Sequence, residues 1–353
     1  MANRREFFKT LGALGMGSLL PASRAFATER KRPQELIKPQ RLKAGDTVGL
    51  ITPASPLFEA HQVMIEAVEK MENLGFKVKV GRNVYKKWGY LAGSDEDRLA
   101  DLHEMFADAE VRAVIAVRGG YGSGRLLKHI DYDLIRNNPK IFHGYSDITS
   151  LLIGIQKMTG LVTFHGPVAV STYTDYTKKY FYKALMETEP IGEIEDIPYD
   201  ENLQTSNRVW TLKGGRGQGR LTGGNLTLIA ASMGTPYEID TQDSILFIEE
   251  VGEEPQVLDR YLTQLDNAGK LETCKGIVFD RMESVHPADY KPGYYSTLSK
   301  EEIITDRLKK YAIPCCIGLS LGHVSNKPTL PLGLRCELDA DGGRLRILES
   351  GVS

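Results

Sequence analysis

The chain has 353 residues, 41% of them hydrophobic and 25% charged, with a formal net charge of −2. That is an ordinary globular composition, of a length that suggests about two domains. It excludes a disordered, collagenous or coiled-coil chain, and with no long basic run, nucleic-acid binding through a phosphate footprint is not expected.

The N-terminus carries Arg4-Arg5, then Phe7, Phe8 and Lys9, an apolar run from Leu11 to Leu20, Pro21, and Ala25-Phe26-Ala27. This three-part pattern reads as a twin-arginine secretory signal over residues 1–27, cleaved after Ala27. The apolar run falls short of the roughly 20 residues that span a bilayer, and no later segment is long and apolar enough. Cleavage removes Arg4, Arg5, Lys9, Arg24 and Glu6 and leaves a mature charge of −5. The expectation is an exported protein of the periplasm or cell envelope, with no integral membrane segment once the signal is gone.

Residues 28–43 are polar and proline-containing and read as a linker. A β/α rhythm follows. Thr47–Ile51 reads as a buried strand. His61–Leu74 reads as a helix, with Val63, Ile65, Val68, Met71 and Leu74 at helical spacing. Lys77–Val80 is a second strand. Ser94 with Asp97 predicts a capping box for a helix through Met105. Ala113–Val117 is a central strand, Ile148–Met158 a helix and Val162–Phe164 another strand. Strands alternating with helices predict an N-terminal α/β domain, residues 44–190, built on a parallel sheet. Residues 191–219, rich in Gly, Asn and acidic side chains, read as a connection. A second domain, 220–353, follows, with helices at 225–233, 255–268 and 299–311 and strands at 244–250 and 276–279. A hairpin is signalled by Asp341-Gly342-Gly343 between Leu334–Leu338 and Arg344–Leu348. The four cysteines, Cys274, Cys315, Cys316 and Cys336, form no C-x-x-C pair, so most or all are expected to be reduced and buried.

Three segments carry candidate chemistry. Arg118-Gly119-Gly120-Tyr121-Gly122-Ser123-Gly124 follows a strand, where open α/β sheets put their sites. Its spacing is not G-x-G-x-x-G, and the 214–220 stretch has Arg220 and Leu221 where a P-loop needs Lys and Ser/Thr. His143-Gly144-Tyr145-Ser146-Asp147-Ile148 sits at a strand-to-helix corner. It resembles a nucleophile elbow whose second glycine is replaced by Ile148, although Ser146 and Asp147 as helix caps remain the alternative. In the elbow reading, the N–H groups of Gly120 and Asp147 form an oxyanion hole. A serine nucleophile needs a base and an orienter. Of seven histidines, His61, His103 and His129 fall on helical surfaces and His286 in a polar loop. His143 and His165 fall at strand ends near the elbow, and His323 follows Gly322 after the run Cys315–Leu321. Glu249 and Glu250 both end a strand, and only one can face the site.

Taken together, these segments closely resemble the LD-carboxypeptidase family of serine peptidases, from about Arg41 to Leu348. The motifs that carry the resemblance are Arg118–Gly122, Pro139–Thr149, Leu221-Thr222-Gly223-Gly224-Asn225-Leu226, Ile245–Val251, Asp259-Arg260, and Gly322-His323 followed by Leu330–Gly333. The resemblance implies a flavodoxin-like N-terminal domain, a C-terminal domain with a barrel-like β core, and a site between them. It implies Ser146 as nucleophile, His323 as base and acid, Glu249 as orienter, and the backbone of Gly120 and Asp147 as oxyanion hole. No metal and no cofactor are implied. The implied substrate is a murein tetrapeptide that loses its terminal D-alanine by L,D-bond hydrolysis, and the implied assembly is a homodimer. His143 stands where the family often has a smaller residue. Two other readings stay open: an immunity-type peptidase that cleaves peptide–nucleotide antibiotics, and a non-catalytic muropeptide-binding envelope protein.

Overall fold

Short apolar runs alternating with amphipathic helices build the first sheet of the computed structural model, which describes residues 35–195, 197, 208–282, 284–286 and 297–353. The expected signal over residues 1–27 lies outside the described residues. The expected linker does so in part, but its described end is packed: Ile37 bridges Leu161 and Leu42 is fully buried.

Strand β1 (Thr47–Ile51) is followed by α1 (Ala60–Asn73), which buries Met64, Ala67 and Met71. Ile65, expected on the apolar face, is 52% exposed. Next come β2 (Lys77–Val80) and α2 (Asp95–Ala107), whose capping box has both of its reciprocal hydrogen bonds between Ser94 and Asp97. β3 (Val111–Ala116), α3 (Tyr132–Asn137), β4 (Ile141–Gly144), α4 (Thr149–Thr159), β5 (Phe164–His165) and α5 (Asp175–Met186) complete the unit. The strand expected at 162–164 starts only at Phe164. Residues 161 and 162 are instead drawn into pairing with Ile37, through the Leu161 bridge and the Val162 N–H. The five strands are parallel in the order β2-β1-β3-β4-β5. In this arrangement the loops after β1 and β3 diverge at a switch point, where ligands bind open α/β sheets.

The stretch read as a connection contains β6 (Gly192–Ile194), β7 (Trp210–Lys213) and the start of β8 (Arg216–Asn225). Its glycines hide these strands from a propensity reading. Gly217 is small because a Cβ there would lie 1.9 Å from the carbonyl oxygen of Lys275. The near-P-loop at 214–220 is the β7–β8 turn and part of β8. After it come α6 (Leu226–Ala231), β9 (Ser244–Glu249), α7 (Pro255–Asn267), β10 (Gly276–Asp280), α8 (Lys300–Leu308), β11 (Cys315–Leu319), β12 (Leu330–Pro331), β13 (Arg335–Asp339) and β14 (Arg344–Ile347). Eight of the strands form a mixed sheet, β6-β14-β13-β8-β9-β10-β11-β7, in which β8, β9, β10 and β11 run parallel. β13 and β14 form the predicted antiparallel hairpin.

The period of two along these strands sorts their side chains into two cores. Ile245, Phe247, Val278 and Cys316 join the core of the first sheet, whereas Leu246, Ile248, Ile277, Phe279 and Cys315 pack with side chains of α6, α7 and α8. All four cysteines are buried free thiols. β12 pairs antiparallel with β5, so the C-terminal chain adds an edge strand to the N-terminal sheet. α4 is buried nearly all round: Leu151, Leu152 and Ile155 face the first core and Ile153 the second.

Candidate active site

At the end of β4 the chain turns sharply into α4. Ser146 has φ 64°, a left-handed conformation that costs a non-glycine residue on the order of 1–3 kcal/mol. The neighbouring backbone makes room for it. A Cβ on Gly144 would lie 2.9 Å from Ile148 Cγ2, so the close approach that an elbow needs is made at Gly144, and Ile148 can stand where a second glycine was expected. A Cβ on Gly119, in the loop after β3, would lie 3.0 Å from Ser146 Cβ.

That loop is anchored from both sides. Gly120 has φ 115°, and a Cβ there would lie 2.5 Å from Ser55 Oγ, in the loop after β1. Ser55 Oγ accepts the Tyr121 N–H at 3.0 Å. The Asp147 carboxylate accepts the N–H groups of Gly122 at 3.1 Å and Ser123 at 2.8 Å. The side chain of Asp147 therefore ties loop to elbow. Among the described residues, neither the Gly120 nor the Asp147 N–H has an acceptor.

The second sheet supplies the other half. Glu249 closes β9 and is fully buried, and its Oε2 lies 2.7 Å from His323 Nδ1. His323 Nε2 lies 3.1 Å from Ser146 Oγ. Glu250 points to the other face. Its Oε1 accepts from Asn225 Nδ2 and the Val251 N–H, and its Oε2 from the Thr227 N–H and hydroxyl, which ties it to the first turn of α6. His323 sits in a turn four residues beyond the end of β11. Buried Asp280, the last residue of β10, holds that turn by accepting the N–H groups of Leu321 at 2.7 Å and Gly322 at 3.1 Å. A Cβ on Gly322 would lie 2.5 Å from Glu249 Cβ, so only glycine lets the carboxylate reach the imidazole.

Burial pushes the carboxyl pKa of Glu249 up, and the hydrogen bond from His323 pulls it part of the way back. Burial likewise raises that of Asp280, opposed by its backbone donors. Lys327, 4% exposed, lies with Nζ 5.0 Å from the centre of the Tyr145 ring, and that ring is 4.9 Å from His323. Burial lowers the Lys327 pKa, while the charges of Asp280 and Glu249 support its protonated form. His165 bonds the Leu321 carbonyl at 2.9 Å, and burial holds it neutral with a pKa of about 4. His143 is outside this chain of bonds. It is fully buried beside Phe181 and Thr329, with burial lowering its pKa to about 3.

The structure thus brings Ser146, His323 and Glu249 into one hydrogen-bonded row and sets Gly119–Gly120 and Asp147 around the serine. It leaves out Glu250, His143 and His165. Sequence reasoning missed Asp280, Lys327 and the anchoring side chain of Asp147. A polar residue closing the apolar run Gly276–Phe279 was the available signal for Asp280. Lys327 had none, because a lysine in a polar loop reads as exposed.

The LD-carboxypeptidase N-terminal domain model matches residues 48–166, and the LD-carboxypeptidase C-terminal domain model matches residues 218–338. The "Probable murein peptide carboxypeptidase" of Bacillus subtilis is 40% identical over 321 residues, 90% of this chain and 95% of that protein. The microcin C7 self-immunity protein MccF of Escherichia coli is 29% identical, covering 88% of this chain and 96% of that protein. A solved structure of MccF with glutamyl sulfamoyl guanosine superposes with a TM-score of 0.78 at 27% identity, covering 90% of this chain and 99% of that one. A muramoyltetrapeptide carboxypeptidase from Oxalobacter formigenes does so at 0.72 and 28%, covering 86% and 99%.

Proposed function

Because the chain belongs to the LD-carboxypeptidase family, we propose that it is a serine-type carboxypeptidase that cuts the L,D-bond before the terminal D-alanine of murein tetrapeptides. The observation that carries this reading is the row Ser146–His323–Glu249, with contacts of 3.1 and 2.7 Å. It is the order nucleophile, base, orienter that acyl transfer requires.

In the proposed reaction His323 Nε2 takes the Ser146 proton and Oγ attacks the carbonyl carbon of the diamino acid. The oxyanion that forms is received by the N–H groups of Gly120 and Asp147, whose lack of acceptors among the described residues supports this role. His323 returns the proton to the departing amine and D-alanine leaves. Water, deprotonated by the same imidazole, then opens the acyl ester and frees the tripeptide, and the imidazolium returns that proton to the departing Ser146 Oγ. Glu249 holds Nδ1–H and balances the imidazolium. The likeness to the microcin immunity protein supports a second substrate class, a peptide–nucleotide conjugate cut by the same serine. The higher identity to the murein relative favours the tetrapeptide.

The reading includes export by the twin-arginine route to the periplasm or cell envelope, supported by Arg4-Arg5 and Ala25-Phe26-Ala27, and a homodimeric assembly. Among the described residues no helix is long and apolar enough to cross a membrane. The test is release of D-alanine from murein tetrapeptide by the purified mature protein, beside a peptidyl-nucleotide control. Ser146→Ala is expected to lose at least about 10³-fold in rate while keeping its melting temperature. An unchanged rate in that variant would overturn the serine mechanism.

A further inference from the structure

Eight large hydrophobic side chains are exposed among the described residues, and five of them, Phe58, Tyr85, Trp88, Tyr90 and Tyr121, lie on the loops around the switch point of the first sheet. Trp88 and Tyr90 form the tip of a tight turn. The Trp88 N–H donates to the Leu91 carbonyl at 2.8 Å, the Leu91 N–H donates back to Trp88 at 3.0 Å, and Gly89 between them has φ 58°. The turn is fixed from beneath. Leu91 is 2% exposed and packs so closely under the glycine loop that a Cβ on Gly122 would lie 2.3 Å from it. Its apolar anchor points in, and its two largest side chains, Trp88 at 60% and Tyr90 at 64% exposed, point out. Tyr90 meets Tyr121 edge-on, centroids 5.3 Å apart, and Tyr121 directly follows Gly120. A rigid aromatic ledge therefore starts beside the serine.

Beyond the ledge, Trp88 walls an open concavity of about 440 Å³ whose other sides are charged. Arg125 lies over the Trp88 ring at 6.0 Å and pairs with Asp95 at 2.9 Å, and Lys86 pairs with Asp97 at 2.6 Å. These groups offer hydrogen-bond donors and acceptors side by side next to an aromatic face. Sugar rings combine the same two features, apolar C–H faces and a rim of hydroxyl and amide groups. An interface with a second copy would instead place depleted charge around the aromatics. A Cβ on Gly119 would lie 3.0 Å from Ser146 Cβ, Tyr121 follows two residues on, and the Tyr90 ring is 5.3 Å from that of Tyr121, a short succession of contacts of the order that three extended peptide residues, roughly 10–11 Å, can follow. Three residues separate the scissile bond of a murein tetrapeptide from its sugar.

We infer that the ledge Tyr121–Tyr90–Trp88 and the concavity beside it are a saccharide subsite, which receives the N-acetylated disaccharide of a glycan-bearing muropeptide while the peptide tail lies at Ser146. The assignment rests on the murein reading above. The test has two arms on the full mature protein. In the first, calorimetry measures binding of the peptide-free N-acetylglucosaminyl-N-acetylmuramic acid disaccharide. Saturable binding is expected, weakened at least about tenfold in Trp88→Ala/Tyr90→Ala and largely kept in Tyr90→Phe. In the second, kcat/KM is compared for disaccharide-tetrapeptide and bare tetrapeptide. The double variant is expected to lower the ratio of the two about tenfold. Absence of disaccharide binding, binding indifferent to the double variant, or conversion of a dimer to a monomer by that variant without disaccharide binding would each overturn the subsite. Disaccharide binding with no D-alanine release from either substrate would break the carboxypeptidase reading and leave the subsite standing.

Discussion

The serine corner and the histidine corner solve the same positioning problem by different physics. Around Ser146 the fit is steric: a left-handed serine is held between Gly144, Gly119 and Ile148, and the charged side chain next to it, Asp147, turns away to hold backbone N–H groups. Around His323 the fit is electrostatic: two buried carboxylates, a buried lysine and a glycine-lined turn hold one imidazole. The first corner should be indifferent to pH and intolerant of volume. The second should be sensitive to both.

The largest effect is expected from separating the two adjacent glutamates. Glu249→Gln keeps the shape but loses the negative charge behind His323, and a fall of about 10³–10⁴-fold in kcat is expected. Its stability should hold or rise, since the carboxylate it replaces is buried at a desolvation cost. Glu250→Gln should do the reverse. It disturbs three hydrogen bonds at the start of α6 and a fourth from the Val251 N–H, so about 2–4 kcal/mol of stability is expected to go, with a smaller effect on kcat. Equal kinetic losses in the two variants, measured with denaturation curves, would break the assignment of roles.

Next in size are alanine substitutions at the two close approaches. Gly322→Ala forces a Cβ into Glu249 and should cost about 10²-fold or more in kcat/KM together with several degrees of melting temperature. Gly119→Ala meets Ser146 at 3.0 Å and should cost less, about tenfold, by tilting the nucleophile. The steric reading predicts that Gly119→Ala leaves the pH–rate profile in place, whereas Gly322→Ala, which displaces the carboxylate behind His323, shifts it.

Lys327→Met tests the electrostatic corner directly. Without that cation, Glu249 and Asp280 retain their protons to higher pH. Glu249 must be ionised to serve His323, so the acid limb of the pH–rate profile should move up by about 0.5–1 unit, and Lys327→Arg should restore it. The smallest effect is on stability in mild acid. His143 and His165 stay neutral in the fold to about pH 3 and 4, whereas in the unfolded chain they take up protons near 6.5. Stability should therefore fall as pH drops below 6.5, by about 2 kcal/mol per histidine at pH 5. Glu249 and Asp280, whose carboxyls bind protons more readily in the fold, work against this loss at lower pH. His143→Phe should flatten the fall in melting temperature between pH 7 and 5.

Much of the chain could be read in advance where the signal is local. The Ser94–Asp97 box, the proline-led α7 and the Asp341-Gly342-Gly343 hairpin each depend on a few neighbouring residues, and each is found. The elbow at Ser146 was visible because a left-handed turn between strand and helix leaves a glycine trace at Gly144. Other elements were not legible. β8 is held by backbone approach at its glycines, which propensity counts against a strand. β12 has two residues and exists only because β5 offers it an edge. α4 carries polar Thr149 and Ser150 among its buried residues, because a second core covers the face that a lone domain would expose.

The amino-acid sequence alone marked out the candidate serine and histidine that the fold brings together, since a serine at a glycine-flanked corner and a histidine after Gly322 are local features. Only the tertiary structure decided which glutamate serves the histidine. Glu249 and Glu250 are adjacent and alike in composition, and a strand turns successive side chains to opposite faces. Which face meets His323 depends on the register of β9 between β8 and β10, and on the turn that Asp280 holds from the neighbouring strand. Those distances span 31 to 177 residues of chain, from Asp280 back to Glu249 and from Ser146 to His323, and no local pattern encodes contacts of that range.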